Sequence, residues 1–332
     1  MDDLNHQVIR GFGVKAKTVS KHKSFYICNT DRGMMIVKQS VSLSTERIGF
    51  QHMVKETLYA GGFENIDRFQ LSIDNEPFFV FDGLAYIMTN YISQRETDFG
   101  DTQMLREILK QTALMHKTLA DAELSCPDDF TTPSIIPEEE YKHSVRELSA
   151  LKKRLSKVGQ LSDFDVILLK NYSYYLELLR DWERFSAKSD IYTTQQNAIK
   201  KRYICHNLLK EENIIPEQHG KSHTLYITNF SECAIGHYVL DLASIIKRHF
   251  RASAPGEHMS IQPLIEGYTR YNPLDVSELE LLKSILIFPD KFLNICTQYS
   301  QKKRTWVPGT FISRLENLIN RQDEYLEYVM TL

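Results

Sequence analysis

Short apolar segments separated by turn residues make up the first ninety residues of the chain. Residues 25–28 (FYIC) and 34–38 (MMIVK) flank the turn NTDRG, a pattern typical of an antiparallel hairpin. A helix is predicted to begin at Ser44 and to stop at Gly61 and Gly62, because apolar residues recur between them at helical spacing. Further strands are predicted over residues 69–73, 78–81 and 85–89. The pattern indicates a sheet of about five strands.

Helical spacing dominates after the polar connection SQRETDFGD, residues 93–101. Helices are predicted over residues 102–123, from Pro137 onward, and over residues 164–185, 239–250, 261–271, 277–299 and 311–329. Short strands are predicted before His206 and over residues 213–215 and 224–228. The chain is therefore predicted to be an α+β protein of two lobes. Residues 1–92 form a β-rich N-terminal lobe and residues 93–332 a helical C-terminal lobe.

Composition and charge narrow the class of protein. The 332 residues are 42% hydrophobic and 25% charged, which is typical of a globular chain. A formal net charge of −3 gives no general attraction to nucleic acid or to an anionic membrane. Five widely spaced cysteines predict reduced, mostly buried thiols. The chain shows no signal-peptide pattern and no apolar run of membrane-spanning length, so cytoplasmic synthesis is expected.

One segment, CHNLLKEEN, resembles a phosphotransferase catalytic loop of the form H-x-D-x-x-x-x-N. The spacing from His206 to Asn213 matches this form, but Leu208 stands where the aspartate is expected. Lys38 ends an apolar strand before a helix, where kinases place a phosphate-pairing lysine, and Asn229 follows a strand where kinases place a magnesium-binding aspartate. Taken singly, Lys38 could be a solvated strand-end lysine and His206 a core histidine. The order along the chain of Lys38, His206, Asn213 and Asn229, each at a predicted strand end, favours a kinase-like arrangement.

Two other kinase features are weak in the sequence. The helix partner of Lys38 should be a glutamate on the next helix. Counting back seven residues from Leu58, about two helical turns, gives Gln51 instead. Glu56 is acidic but falls on a different face of that helix. No G-x-G-x-x-G motif is present, and the fragment Gly11-Phe12-Gly13 is interpreted as a turn.

The sequence resembles the CotS-type spore coat proteins, which are relatives of the aminoglycoside and choline phosphotransferases. The resemblance covers nearly the whole chain and is closest to the YsxE/YutH-like members, whose catalytic motifs are degenerate. It is carried by GMMIVKQS, AYIMTNYISQRETDF, TALMHKTLA, YICHNLLKEENII, LYITNFSECAIGHYVLDLASIIKR, GYTRYNPLDVSELELLKSILIFPDKFLNICTQY and KKRTW.

The resemblance implies a bilobal, protein-kinase-like fold with a partly lost site. Lys38 matches the phosphate-pairing lysine, Asn213 a metal-binding asparagine, and Asp241 a structural aspartate that holds the catalytic loop. Leu208, Asn229 and Gln51 depart from the pattern. Loss of a general base costs about 10² to 10⁴ in rate, so the site is expected to be vestigial and magnesium binding by Asn213 and Asn229 weak.

Two functions remain open on this basis. The first is a coat component that has lost phosphotransfer, is synthesised in the cytoplasm, is deposited on the spore coat and contacts other coat proteins. It would need no cofactor, or would bind ATP and Mg²⁺ only weakly. The second is a divergent ATP-dependent small-molecule kinase in which Glu211, Glu212 or Glu232 replaces a lost carboxylate. The basic cluster Lys302-Lys303-Arg304 is interpreted as exposed solubility residues. Neither a nucleic acid partner nor a membrane span is expected.

Overall fold

The structure is a computed structural model. It describes residues 4, 6–22, 24–40, 44–92, 96–122, 124, 128–132, 138–219, 222–257, 259–301 and 307–332. Pro137, the basic cluster at residues 302–304 and Cys126 lie outside these ranges. The helix predicted from Pro137 onward is described from Glu138 to Leu155. The other four cysteines are free and buried, as predicted.

Five antiparallel strands form the N-terminal sheet, in the order β1-β2-β3-β5-β4. They are β1 (Ala16–His22), β2 (Phe25–Thr30), β3 (Gly33–Ser40), β4 (Phe79–Phe81) and β5 (Leu84–Asn90). Helix α1 (His6–Arg10) precedes the sheet, and α2 (Thr45–Ala60) is inserted between β3 and β4. Ser44 caps α2 by accepting from the backbone N–H of Arg47, and Gly61 ends it, as predicted.

The sheet differs from the prediction at two strands. Residues 69–73 do not form a strand: Phe69 makes only an isolated bridge to Thr89, and the chain turns where Ser72 N donates to Glu76 O. The fifth strand is instead β1, which the pattern analysis missed. Five of its seven side chains are exposed and none is fully buried, so the sequence carries no clear apolar alternation there.

Helices and two short strand pairs build the rest of the described chain. The helices are α3 (Thr102–Asp121), α4 (Glu138–Leu155), α5 (Asp163–Ser186), α6 (Ile191–Lys200), α7 (Val239–Ala252), α8 (Gln262–Thr269), α9 (Val276–Ile287), α10 (Asp290–Ser300), α11 (Pro308–Asn320) and α12 (Gln322–Met330). The strands are β6 (Ile204–Cys205), β7 (Ile214–His219), β8 (Ser222–Ile227) and β9 (Ala234–Ile235), with β6 paired to β9 and β7 to β8.

Two predicted helices are each divided in the structure. The helix predicted over residues 277–299 is broken because Phe288 takes the extended conformation imposed by Pro289, and α10 begins after that proline. The helix predicted over residues 311–329 is broken at Arg321, whose guanidinium donates to the carbonyls of Phe250 and Ser253. Helix α6 was not predicted, because its polar sequence shows little apolar spacing.

The apolar interior falls into two clusters. A small core joins α1 to the sheet and includes Val8, Phe12, Val37 and Met88. A large core joins the helices of the C-terminal part, and it includes residues of α2 as well, namely Phe50, Val54 and Leu58. Helix α2 is thus placed between the lobes, with its apolar face in the larger core.

The fragment Gly11-Phe12-Gly13 forms the turn after α1, in agreement with its interpretation as a turn. A Cβ atom at Gly11 would lie 2.5 Å from the ring of Phe79, and Gly13 has a φ of +67°. These glycines allow α1 to pack on β4.

Within the described ranges, no helix has the length and apolar character needed to cross a membrane.

Candidate functional site

The segment after β6 is anchored by one buried carboxylate. Asp241, in the first turn of α7, accepts hydrogen bonds from the backbone N–H of His206 at 2.6 Å and of Asn207 at 2.8 Å. The ring of His116 on α3 lies 3.0 Å from the same carboxylate. Although burial opposes ionisation, the hydrogen bond and charge of His116 hold the pKa of Asp241 below its ordinary value. Asp241 therefore fixes the loop to two helices of the large core.

His206 is fully committed to this loop. Its Nδ1 accepts from the N–H of Leu208 at 3.1 Å, and its Nε2 lies 3.0 Å from the carbonyl of Thr228. Burial lowers the pKa of His206, so the ring is neutral and donates from Nε2. The histidine holds the backbone in shape and has no ring nitrogen left for a substrate.

Three residues of the predicted site are joined by hydrogen bonds. The amide of Asn229 donates to Asn213 Oδ1 at 3.2 Å, and the amide of Asn213 donates to the carbonyl of Leu208 at 2.9 Å. Asn213 is buried, whereas Leu208 and Asn229 are partly exposed. Asn229 also has a left-handed backbone, with φ 62° and ψ 65°. The two predicted metal-binding positions are thus adjacent, but neither carries a charge.

Lys38 on β3 and Gln51 on α2 both line a cavity of about 140 Å³ between the lobes. In the sheet, Lys38 pairs with Phe25 of β2 and Ile87 of β5, and its ammonium is 5.8 Å from the centre of the Phe25 ring. Gln51 is buried on α2, and its Nε2 has no hydrogen-bond partner in the described part of the chain. No hydrogen bond joins Lys38 to Gln51 across these described residues.

A buried lysine that the sequence analysis missed forms the floor of this cavity. The ammonium of Lys55 on α2 donates to the backbone carbonyl of Asp67 at 2.7 Å. It also lies 3.0 Å from the carboxylate oxygen Oδ1 of Asp67, where the two groups form an ion pair without hydrogen-bond geometry. Its ammonium is 3.9 Å from the centre of the Phe69 ring. Burial lowers the pKa of Lys55, and Asp67 opposes that shift. One signal could have revealed it: Lys55 lies four residues after Gln51, on the same helical face.

Asp67 extends the contact to the segment after β8. Its Oδ2 accepts from the backbone N–H of Asn229 at 3.1 Å. Asp67 is the one carboxylate among the described residues that line the cavity, and both of its oxygens are engaged by the protein. A metal ion would have to compete with the Lys55 ammonium for it.

Helix α2 is fastened to the same segment at its first turn. The guanidinium of Arg47 donates to the carbonyl of Ser231 from Nε at 3.2 Å and from Nη2 at 3.0 Å, and to the carbonyl of Cys233 at 2.6 Å. Three donors of one side chain therefore hold the helix against the backbone that follows Asn229.

The three acids considered as substitutes lie away from the cavity. Glu211 forms an ion pair with Arg248, Glu212 lies 2.5 Å from the Lys210 ammonium, and Glu232 is exposed. Among the described residues, no group of three or more histidine, cysteine or acidic side chains could hold a metal ion.

Comparison with known proteins identifies the family. A family profile described as "Spore coat putative kinase YutH" matches residues 5–332. The chain belongs to this spore coat kinase family. A search of curated protein sequences gave no significant match. The match agrees with the resemblance found in the sequence, and it extends over both lobes.

Solved structures with the same fold are phosphotransferases. An aminoglycoside phosphotransferase from Alicyclobacillus acidocaldarius superposes with a TM-score of 0.84 at 14% identity, over 100% of this chain and 96% of that one. Spectinomycin phosphotransferase APH(9)-Ia, in complex with ADP and spectinomycin, gives 0.67 at 14% identity, over 100% of both chains. A microcompartment-associated aminopropanol kinase gives 0.59 at 11% identity, over 98% of this chain and 97% of that one. The predicted kinase-like fold is thereby confirmed.

Proposed function

We propose that this spore coat family member serves as a structural or binding component of the coat and does not transfer phosphate. The proposal rests on one observation above all. Leu208 occupies the position expected for the catalytic base. Asn213 and Asn229 occupy the positions expected for metal ligands, and the amide of Asn229 donates to Asn213 Oδ1 at 3.2 Å. Leucine accepts no proton, and a neutral amide pair gives Mg²⁺ no charge to bind.

The neighbouring charges support the same proposal. The carboxylate of Asp67, which could otherwise contribute to a metal site, is paired with Lys55 and accepts from Asn229. Lys55 is a buried cation that lines the same cavity and pairs with its one carboxylate among the described residues. Magnesium binding at this point would require breaking a buried ion pair, which is costly because it leaves one charge unpaired.

The size of the cavity also supports it. Small-molecule and cofactor sites usually enclose about 300–1,000 Å³, whereas the space between Lys38 and Asn229 is about 140 Å³. Ile36, Phe69, Ile87 and Phe230 contribute apolar atoms to its walls. A nucleotide would have to separate the sheet from α2 to enter.

The family match supports a proposal for location and partners. We propose that the protein is synthesised in the cytoplasm and then deposited on the coat, where its surface contacts other coat proteins. A fluorescent fusion expressed from the native promoter in a sporulating host should collect at the forespore surface. Even distribution through the mother cell after coat assembly would contradict this proposal.

Thermal unfolding with and without Mg-ATP tests whether the protein retains the magnesium-dependent nucleotide binding that phosphotransfer requires. A ligand at 100 times its dissociation constant stabilises a folded protein by about 2.7 kcal/mol, a shift of several degrees in Tm. We expect no shift with ATP in EDTA and none with Mg-ATP. A clear magnesium-dependent rise in Tm that disappears in Lys38→Ala would favour the alternative, a divergent small-molecule kinase.

A further inference from the structure

A second cavity, larger than the one between the lobes, lies in the C-terminal part. It encloses about 400 Å³ between the end of α7, the break from α9 to α10, and helices α11 and α12. None of its lining residues lines the interlobe cavity. Its volume falls within the range of about 300–1,000 Å³ that small-molecule sites occupy.

Aromatic side chains form one part of the wall of this cavity. Tyr175, Phe250 and Phe288 are each buried and line the space, and the partly buried Leu318 adds an aliphatic side chain. Tyr175 stacks on Phe292 with ring centres 3.6 Å apart, so this part of the wall is rigidly packed. An apolar ligand body would be desolvated here without a change in the packing.

Positive charge surrounds the apolar wall. Five cationic side chains line the cavity, and Asp290 is the one carboxylate among its described lining residues. The cations are Lys247, Arg251, Lys291, Arg314 and Arg321. Such an excess of one sign attracts an anion, and Arg251 and Arg314, which are exposed, place part of it at the solvent-facing edge of the cavity.

Two of the cations are already paired, and three are not. Lys247 lies 3.0 Å from Asp290, and Arg321 pairs with Glu324 at 2.8 Å. Arg251, Lys291 and Arg314 have no carboxylate within 4.0 Å among the described residues. The cavity therefore presents charge that the protein itself does not neutralise.

The crowding of these cations affects Lys291 in particular. Burial, followed by repulsion from Arg251, lowers the pKa of Lys291 to about 8, although Asp290 opposes the shift. A bound anion would relieve this repulsion and favour the charged amine.

We propose that this cavity binds a small organic anion with an aromatic or aliphatic body. The apolar part lies against Tyr175, Phe250 and Phe288, and the anionic group lies near Arg251, Lys291 and Arg314. The enclosed volume matches one small molecule, and the unpaired cations supply the charge complement for a single acidic group.

Two fluorescent probes with nearly the same body test the proposal. 1-Anilinonaphthalene-8-sulfonate carries an anionic group, and N-phenyl-1-naphthylamine has the same ring system without it. We expect the sulfonate to bind the full-length protein saturably and about tenfold more tightly than the neutral probe, since hydrogen bonds to charged groups are among the stronger ones.

Matched variants assign the binding to this cavity. Arg251→Gln/Arg314→Gln should weaken sulfonate binding by about tenfold or more and leave the neutral probe unchanged. Arg32→Gln/Lys170→Gln removes the same charge at exposed positions elsewhere and should behave as the parent. Asn317→Trp, at the exposed edge of the cavity, should weaken the binding of both probes by filling the space.

A pH series adds an independent readout. Sulfonate binding should weaken several-fold between pH 7 and pH 9 as Lys291 loses its proton, and Lys291→Gln should remove that dependence. The charged or titratable groups around Lys291 are Lys247, Arg248, Arg251, Asp290, Arg314, Arg321 and Tyr325. Burial raises the pKa of Tyr325 well above its ordinary value, so Tyr325 stays neutral over this range.

Two results would overturn the proposal. One is equal affinity of the parent for the charged and the neutral probe. The other is unchanged sulfonate binding in Arg251→Gln/Arg314→Gln with a circular dichroism spectrum and a Tm like those of the parent.

Discussion

The side-chain amides of Asn213 and Asn229 both donate hydrogen bonds within the protein, without a ligand. Each amide has a defined acceptor, Asn213 Oδ1 for one and the carbonyl of Leu208 for the other. Facing carboxylates at these positions would repel each other, and a bound cation would relieve the repulsion. The amide pair has no such repulsion, so we expect the stability of the loop not to depend on a metal ion.

Replacing Asn229 with aspartate should restore the dependence on metal. Asn229→Asp places a carboxylate against Asn213 Oδ1 and loses a donor, so we expect the free energy of unfolding in EDTA to fall by about 1–3 kcal/mol. Mg²⁺ should recover part of the loss. Asn75→Asp is the matched control, since Asn75 is exposed and has the same left-handed backbone. Equal Tm values for Asn229→Asp in EDTA and Mg²⁺ would show that the position faces no metal site.

The buried pair of Lys55 and Asp67 predicts a rescue. Lys55→Met leaves the Asp67 carboxylate buried and unpaired, which should cost about 3–5 kcal/mol. Adding Asp67→Asn removes the charge and keeps an oxygen for the N–H of Asn229, so the double variant should recover most of the loss. Urea unfolding of both variants measures the difference. A double variant no more stable than Lys55→Met would contradict the assigned pairing.

His206 predicts how stability depends on pH. Burial lowers the pKa of His206 in the folded state, whereas in the unfolded chain this histidine has its ordinary pKa of about 6.5. Just below pH 6.5, the unfolded chain therefore binds a proton at this residue and the folded chain does not. Stability should therefore fall as pH falls below 6.5, by at most about 1.4 kcal/mol per pH unit from this group. Unfolding curves between pH 7 and 5.5 should show a shallower slope for His206→Asn than for the parent. His143→Asn, at an exposed position, should keep the parent slope.

Residue spacing identified part of the site in advance. The separation of His206 from Asn213 and the strand before Asn229 were sufficient to predict that these residues lie together, because strand ends and loop length constrain the backbone. Lys55 and Asp67 were not predicted. Their pairing depends on how α2 is rotated against the segment after it, and apolar spacing defines that rotation only coarsely.

At the scale of elements, α2 and the segment after β8 behave as one unit. Arg47 donates to Ser231 and Cys233 at the start of the helix, and Lys55 reaches Asn229 through Asp67 nearer its end. Two separate contacts of this kind prevent the helix from rotating independently of the segment.

Removing the Arg47 contacts should loosen that unit. Arg47→Met keeps an apolar stem over Phe50 but loses three hydrogen bonds, so we expect a loss of about 1–3 kcal/mol. Hydrogen exchange should become faster at residues 230–233 and near the start of α2. Arg106→Met, at an exposed position on α3, should change neither. Unchanged exchange in Arg47→Met would mean that the segment is held by other contacts.

The elements that were predicted correctly share a simple property. Helices α3, α5 and α7 each bury one continuous stripe, so their spacing is visible in the sequence. The failures have local causes. Strand β1 buries too little to show alternation, and the break at Pro289 was hidden because apolar spacing continues on both sides of it.

At the scale of the whole molecule, the two apolar cores differ in size and in membership. The small core consists of α1 and the sheet, and the large core includes α2 with the C-terminal helices. Sequence order places α2 in the first lobe, whereas packing places it with the second. The lobe boundary at residue 92 stays a prediction.

Hydrogen exchange in low denaturant should separate these two assignments. Because the small core buries less apolar surface, the amides of β2, β3 and β5 should open at a lower free energy than global unfolding. We expect the amides of α2 to exchange together with those of α3 and not with the sheet. Exchange of α2 together with the sheet would instead support a first lobe that unfolds as one unit.

The position of α2 also decides which wall of the interlobe cavity can move. If two lobes shift as rigid bodies, the hinge follows the boundary between cores and not the order of the chain. Ile36 and Lys38 belong to the sheet, whereas Gln51, Lys55 and Asn229 belong to α2 and the segment fastened to it. Widening the cavity would therefore lift the sheet with Lys38 away from a fixed floor, and the spacing between Gln51 and Asn229 would stay the same.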